Sequence, residues 1–321
     1  MIQVKNLQKT YTTYERGHSF RETVKSLIIR KPILVQALKG ISFGVGPGEL
    51  VSFLGPNGAG KSTTLKILTG VLYPSAGEVS ILGYVPWKQR RKYVAHIGAV
   101  FGQKSQLIWD IPPIDAFHLN KAIYSIPGLD FNRTLAEMVE MLNIGEVIQR
   151  PTRQLSLGER MKCEFVMAML HGPQIVFLDE PTIGLDLIAK ERIREFIREM
   201  NQKGVTFILT THDLDDVEQL AKRVIVINYG EIVFDDKIDI LRKYFGARKI
   251  VRVSTQKPFP ELARPGIAIT NFISRYDVEL ELDVSMVAVN DFIEMINHQS
   301  IIKDLAIQEL PIESVIKELY A

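Results

Sequence analysis

The sequence predicts an α/β protein with a mostly parallel sheet covered by helices, followed by a smaller α+β domain. Three observations predict it. Between Glu49 and Asp236, short apolar runs alternate with longer stretches of helical periodicity; a glycine-rich loop joins one such run to a following helix; and beyond about residue 240 the pattern turns to strand alternation mixed with short helices.

The runs LVSFL (50–54), IVFL (175–178), TFILT (206–210) and VIVI (224–227) lack a polar side and read as strands buried on both faces. IAKERIREFIREMNQKG (188–204) reads as a helix, with Ile188, Ile193, Phe196, Ile197 and Met200 on one face and Gly204 as its stop. In the second domain DVELELDV (277–284) alternates strictly, Val289, Phe292, Ile293 and Ile296 keep helical spacing, and a last helix carries Ile312, Val315, Ile316 and Leu319. The boundary expected from this change of character separates residues 1–238 from 239–321, and the second part, lacking a catalytic cluster, reads as a packing or dimerising module.

Residues 12–36 interrupt the scheme as a charged insert. Ser19 and Glu22 have capping-box spacing, Phe20, Val24, Leu27 and Ile28 share a face, and Pro32 follows the end, which predicts a short amphipathic helix. Packing on its own domain is one reading of it; contact with lipid headgroups or a membrane partner is the other.

Composition bounds the function. A chain of 321 residues with 46% hydrophobic and 24% charged content supplies one large core and one small one. The formal net charge is only +2 with Lys and Arg dispersed, which argues against a nucleic-acid surface. The single cysteine, Cys163, excludes an internal disulfide and a multi-cysteine metal site, and fits a reducing compartment. Residues 1–10 lack a signal-peptide core, and no stretch approaches the ~18 apolar residues of a membrane helix, so any role at a membrane is expected to run through a partner.

The strongest motif is GPNGAGKS, comprising Gly55, Pro56, Asn57, Gly58, Ala59, Gly60, Lys61 and Ser62, between a predicted strand and a helix that opens with Ser62 and Thr63. Its glycines let successive N–H groups curl around a phosphate chain, Lys61 reaches the terminal phosphates, and Ser62 has the hydroxyl to ligate magnesium. IVFLDEP (175–181) ends a strand on two acids. Asp179 is placed to hold the metal and Glu180 to orient and deprotonate the attacking water in a γ-phosphate displacement. LSLGER (155–160) puts Ser156 and Glu159 in capping-box spacing before a helix, a second helix N-terminus with a nearby glycine and thus a second candidate anion site. Two anion sites in one chain imply two copies acting on one nucleotide.

Taken together these residues resemble the nucleotide-binding subunits of ABC transporters. The phosphate loop at 55–62, Gln103 after IGAVF, the signature at 155–159, Asp179 and Glu180, the Gly184-Leu185-Asp186 turn and His212 after TFILTT occur in that family's order across residues 1 to about 236. The 12–36 insert, the C-terminal extension and the lack of a fused membrane region look most similar to ATPases of exporter-type permeases of the second ABC class.

The resemblance implies a P-loop ATPase core with an antiparallel subdomain and a helical signature subdomain over 103–172. It implies ATP and Mg2+ as ligands, with Gln103 touching metal and water, Ser156 and Gly158 binding the γ-phosphate held by the opposite copy, Asp186 crossing the dimer interface, and His212 on the γ-phosphate. Tyr11, read as the end of the first strand, is the candidate for stacking on adenine, with Tyr14 its rival. The family usually has glycine and glutamine where this chain has Leu157 and Glu159; the capping-box reading assigns Glu159 to its own helix. The function implied is an ATPase subunit that dimerises and drives a separate permease at the cytoplasmic face of the membrane, in the direction of export. A soluble ABC-type ATPase acting on ribosomes or DNA is the alternative, disfavoured by the single phosphate loop and the near-neutral charge; a phosphate-loop kinase would leave LSLGER and His212 without purpose.

Overall fold

The protein is described from a computed structural model covering residues 1–14, 32–102, 104–211, 213–245, 248–260 and 264–309. It divides into two compact units, Met1–Asp235 and Asp236–Ala321.

The first unit opens with a long hairpin, β1 (Ile2–Tyr14) and β2 (Pro32–Val45), whose first strand also pairs with β4 (Ala76–Ile81) in an antiparallel sheet of order β2-β1-β4. The apolar runs without alternation form a second sheet, since only a strand covered on both faces can be apolar throughout. It comprises β3 (Leu50–Leu54), β5 (Ile97–Phe101), β6 (Ile175–Asp179), β7 (Thr206–Thr211), β8 (Arg223–Asn228) and β9 (Glu231–Lys237), in the order β5-β6-β7-β3-β8-β9. The β5–β6, β6–β7, β7–β3 and β3–β8 pairs are parallel. Their carboxyl ends therefore share one edge, where ligands of open α/β sheets bind.

The helices of this unit are α1 (Lys61–Leu68), α2 (Arg90–Tyr93), α3 (Pro113–Ile123), α4 (Gly128–Leu142), α5 (Leu157–Met169), α6 (Leu187–Gln202) and α7 (Leu214–Leu220). One core joins both sheets: Leu65, Ile67 and Leu68 of α1 pack with Phe43, Phe53, Phe177, Ile208 and Ile225. Dense packing of this kind leaves α1 little freedom to shift and so fixes the loop that precedes it.

The second unit begins with α8 (Ile238–Phe245) and holds β10 (Arg248–Thr255), β11 (Ile267–Phe272), β12 (Asp277–Asp283), α9 (Val289–Asn297) and β13 (Ile302–Glu309). Its antiparallel sheet has the order β11-β12-β10-β13. Val251, Val253, Val278, Leu280 and Leu282 from one face meet Phe292 and Ile296 of α9, as the alternation at 277–284 and the helical spacing at 289–296 require.

Three expectations need correction. Residues 12–14 and 32–36 are not part of a separate insert, because β1 continues to Tyr14 and pairs with β2 from Tyr11↔Val35 to Tyr14↔Pro32. Tyr11 therefore does not end its strand. The run at 33–35 carries no burial signal because its side chains stay in the open, Leu34 at 68% exposure. Ile188, placed on the buried face of its helix, is 82% exposed, and the buried positions are Ala189, Ile193, Arg194, Phe196 and Ile197. The predicted amphipathic helix after Ser19 and the predicted last helix at 312–319 lie outside the described residues, as do Gln103 and His212.

Candidate functional site

The loop after β3 has the shape a phosphate cradle needs, and two glycines make it possible. A Cβ on Gly55 would stand 2.2 Å from the carbonyl oxygen of Ile227. Gly60 takes φ 117°, in the left-handed region, and a Cβ there would meet the Ala37 oxygen at 2.8 Å. Pro56, Asn57 and Gly58 are exposed at the tip, while Ala59 is buried beneath it and donates no side-chain polarity. Gly60 also forms the N-terminal boundary of α1, which has neither a side-chain cap nor an acidic residue in its first turn. Its N–H groups and positive dipole end are left for an anion.

Lys61 is buried, and its ammonium donates to the carbonyls of Gly55 (2.5 Å) and Pro56 (3.1 Å). Burial pulls its pKa down, opposed by the nearby carboxylates of Glu180 and Asp179. Ser62, with Thr63 beside it in the first turn of α1, donates from its hydroxyl to Asp179 Oδ1 at 2.9 Å. Thr210 of β7, the strand between β6 and β3, donates to the same oxygen at 2.6 Å. The Ser62 hydroxyl and Asp179 carboxylate form a hard oxygen pair at the mouth of the phosphate loop, a donor set that fits Mg2+. Glu180 follows directly in the left-handed conformation, φ 52°, with its N–H donating to Thr210 O at 2.9 Å. A glutamate held at positive φ turns the chain sharply after β6, and such strain concentrates at functional positions.

The second predicted helix N-terminus is in place with its capping box. Ser156 caps α5: its Oγ accepts from Glu159 N–H (3.2 Å), and the Glu159 carboxylate accepts from Ser156 N–H (2.8 Å) and from Arg150. Burial raises the Glu159 carboxyl, but the Ser156 backbone N–H, the Arg150 guanidinium and the Ser156 hydroxyl together hold it below its ordinary value. Gly158 is where α5 approaches α6; a Cβ there would lie 2.8 Å from Ala189 Cβ. Asp186 caps α6 through Ala189 N–H (2.8 Å). Apolar side chains on these turns are left open: Leu187 is 73% exposed, and Leu157 and Ile183 are exposed as well. Tyr11 lies half-buried on β1, 5.2 Å from the Lys9 ammonium to its ring centre.

A group of residues that sequence reasoning missed braces this edge. Asp216, fully buried on α7, accepts from Arg194 Nε (2.8 Å) and Nη2 (2.6 Å), from Thr182, and from Thr211 (3.4 Å). Thr182 follows Glu180 by two residues and Thr211 directly precedes His212, so one buried carboxylate anchors the chain on both sides of the site. Lys190, one helical turn before Arg194, pairs with Asp213 at 2.6 Å. Burial raises the Asp213 carboxyl, and the Lys190 contact more than offsets this and lowers it. No pattern in the sequence marks Arg194 or Asp216, since a charged residue on a helix normally reads as solvated.

Comparison with known proteins agrees with this geometry. The family model described as ABC transporter matches residues 38–183. The energy-coupling factor transporter ATP-binding protein EcfA of Methanocaldococcus jannaschii is 33% identical over 213 residues, 65% of this chain and 76% of that protein. The chain belongs to the ABC transporter family. Another similar protein, the linearmycin resistance ATP-binding protein LnrL of Bacillus subtilis, is 29% identical over 266 residues, 82% of this chain and 84% of LnrL. Among solved structures, the dimeric post-hydrolysis state of the ATP-binding cassette MJ0796 bound to ADP and Pi matches with TM-score 0.62 and 26% identity, over 74% of this chain and 99% of that one. This ABC protein is thus an ATP-binding, ATP-hydrolysing transporter subunit, and no helix among the described residues is long and apolar enough to cross a membrane.

Proposed function

We propose that two copies of the chain close on shared ATP and thereby drive a separate permease at the cytoplasmic face of the membrane, in the direction of export. In this reading Gly55, Pro56, Asn57, Gly58, Ala59, Gly60, Lys61, Ser62 and Thr63 of one copy hold the triphosphate. Ser156, Gly158 and Asp186 of the other complete the site. Tyr11 stacks on the adenine. Ser62 and Asp179 hold Mg2+ with Gln103, and the ion neutralises charge on the phosphates. Glu180 orients and deprotonates the attacking water, and His212 contacts the γ-phosphate; Gln103 and His212 enter on sequence order alone.

The shared-nucleotide reading is carried by the exposure of Leu187 and Ile188, at 73% and 82%, directly after Asp186. Large apolar side chains left open beside a helix N-terminus mark a surface that another chain covers. The dimeric form of the MJ0796 cassette supports the same reading, and the transporter names of the relatives favour a permease over ribosomes or DNA. Export is supported by the resistance function in the name of LnrL.

The test is Glu180→Gln. Removing the base is expected to slow hydrolysis by about 10²–10⁴-fold while leaving ATP bound, so that ATP traps a dimer in size-exclusion chromatography. A chain that stays monomeric under saturating ATP overturns the shared-nucleotide reading.

A further inference from the structure

Glu164 is an acid in an apolar stretch. It lies on α5 between Cys163 and Phe165, is only 4% exposed, and has buried Met161 and Ala168 on the same helix. A carboxylate there loses its hydration, which a leucine of similar size would not, so its partners must compensate. All of its described hydrogen bonds go to one short segment: it accepts from the Ser105 hydroxyl, from Gln106 N–H at 3.0 and 3.1 Å, and from Leu107 N–H at 3.5 Å. This segment follows β5 and Gln103 and leads to Ile108 and Trp109, which is 56% exposed.

The far side of Trp109 is tied to the same body. Arg153 N–H donates to Trp109 O (3.0 Å), Thr152 N–H and Oγ1 donate to Ile111 O (3.1 and 3.0 Å), and Arg153 pairs with Asp110 (2.9 Å). Residues 152–156 then run directly into the cap of α5. The chain from Ser105 to Ile111 is thus fastened at one end to the middle of α5 and at the other to the 3-10 turn Thr152–Gln154 that leads into it.

We propose that Glu164 is a positioning residue that clamps the Ser105–Leu107 segment to α5, so that this segment and the Ser156 turn move as one body. A push on the exposed Ile108 and Trp109 is then delivered to the Ser156–Gly158 turn rather than absorbed in a loose loop. The kinetic consequence rests on the shared-nucleotide reading above; the mechanical clamp does not.

Glu164→Gln tests it at nearly constant volume, because an amide turns an NH2 toward donors that a carboxylate accepted. Amide hydrogen exchange at Gln106 and Leu107 and at the Ser156–Gly158 turn is expected to rise together, about tenfold, as for a lost hydrogen bond of ~1.4 kcal/mol. The KM for ATP should stay within about twofold and kcat should fall about tenfold or more, since Lys61 and its loop are untouched. Ser105→Ala, which removes one donor and buries no orphan, should shift exchange and kcat the same way by less. Faster exchange confined to Gln106 and Leu107, with the Ser156 turn and kcat unchanged, overturns the clamp. So does a Glu164→Gln that lowers melting temperature, ATP affinity and kcat in step while Ser105→Ala changes nothing. If Glu180→Gln with native Glu164 fails to dimerise on ATP, the shared-nucleotide reading falls and the exchange measurements alone judge the clamp.

Discussion

The N-terminus of α1 has no side-chain cap and no acid in its first turn, whereas that of α5 is closed by the reciprocal bonds of Ser156 and Glu159. Both helices start with several N–H groups that lack intrahelical acceptors. In α1 the whole set is presented inside a glycine loop around a buried lysine, so on the proposed function one chain suffices to hold a phosphate. In α5 the box consumes the N–H groups of Ser156 and Glu159, and those of exposed Leu157 and buried Gly158 are left outside it. Two N–H groups beside open apolar side chains make a weak anion site alone. In the proposed function they become useful when a second chain brings the charge to them. On the proposed function, the difference separates a site built to bind from a site built to be closed upon.

Gly55→Ala should break the comparison most strongly. A Cβ 2.2 Å from a backbone oxygen forces the loop to move. Strain of about 1–3 kcal/mol then appears as roughly a ten- to hundredfold loss of ATP affinity, measured by equilibrium binding to the monomer. Unchanged affinity would mean that the loop geometry is not what holds the nucleotide.

Ser156→Ala should act on the other site only. Loss of the cap lowers stability by about 1 kcal/mol, seen in urea unfolding, and monomer affinity for ATP stays as in the parent. In a Glu180→Gln background the ATP-driven dimer should weaken. Equal weakening of monomer binding would show that the two N-termini do not divide the work as described.

Glu159→Gln gives the smallest effect, about 0.5 kcal/mol, because the exposed part of the Arg150 pair is screened. Its folded pKa is depressed, so its stabilisation is complete above the ordinary carboxylate range and disappears as pH falls through the folded value. The stability gap between Glu159→Gln and the parent should therefore narrow below about pH 4. A gap that widens on acidification would reverse the assignment of Glu159 to its own cap.

Features set by neighbouring residues were legible in the sequence. The phosphate loop, the capping box at 156–159, the acids ending β6 and the four buried strands depend on periodicity and on hydrogen bonds spanning a few positions, and all are in place. The strand pairing at 12–14 and 32–36 was not legible, because the exposed apolar run at 33–35 has no buried face to reveal a register. Ile188 failed for the related reason that an apolar side chain at helical spacing looks alike whether it meets its own core or is left open.

By itself, then, the sequence determined the glycine loop, the capping box and the acids at the end of β6, since those are arranged by the local chain. Only the tertiary structure decided what holds them. Asp216 meets Arg194 across 22 positions, Ser62 meets Asp179 across 117, and Glu164 meets Ser105 across 59. A buried charge is tolerated only where folding brings its partner, and no local pattern states which partner that is.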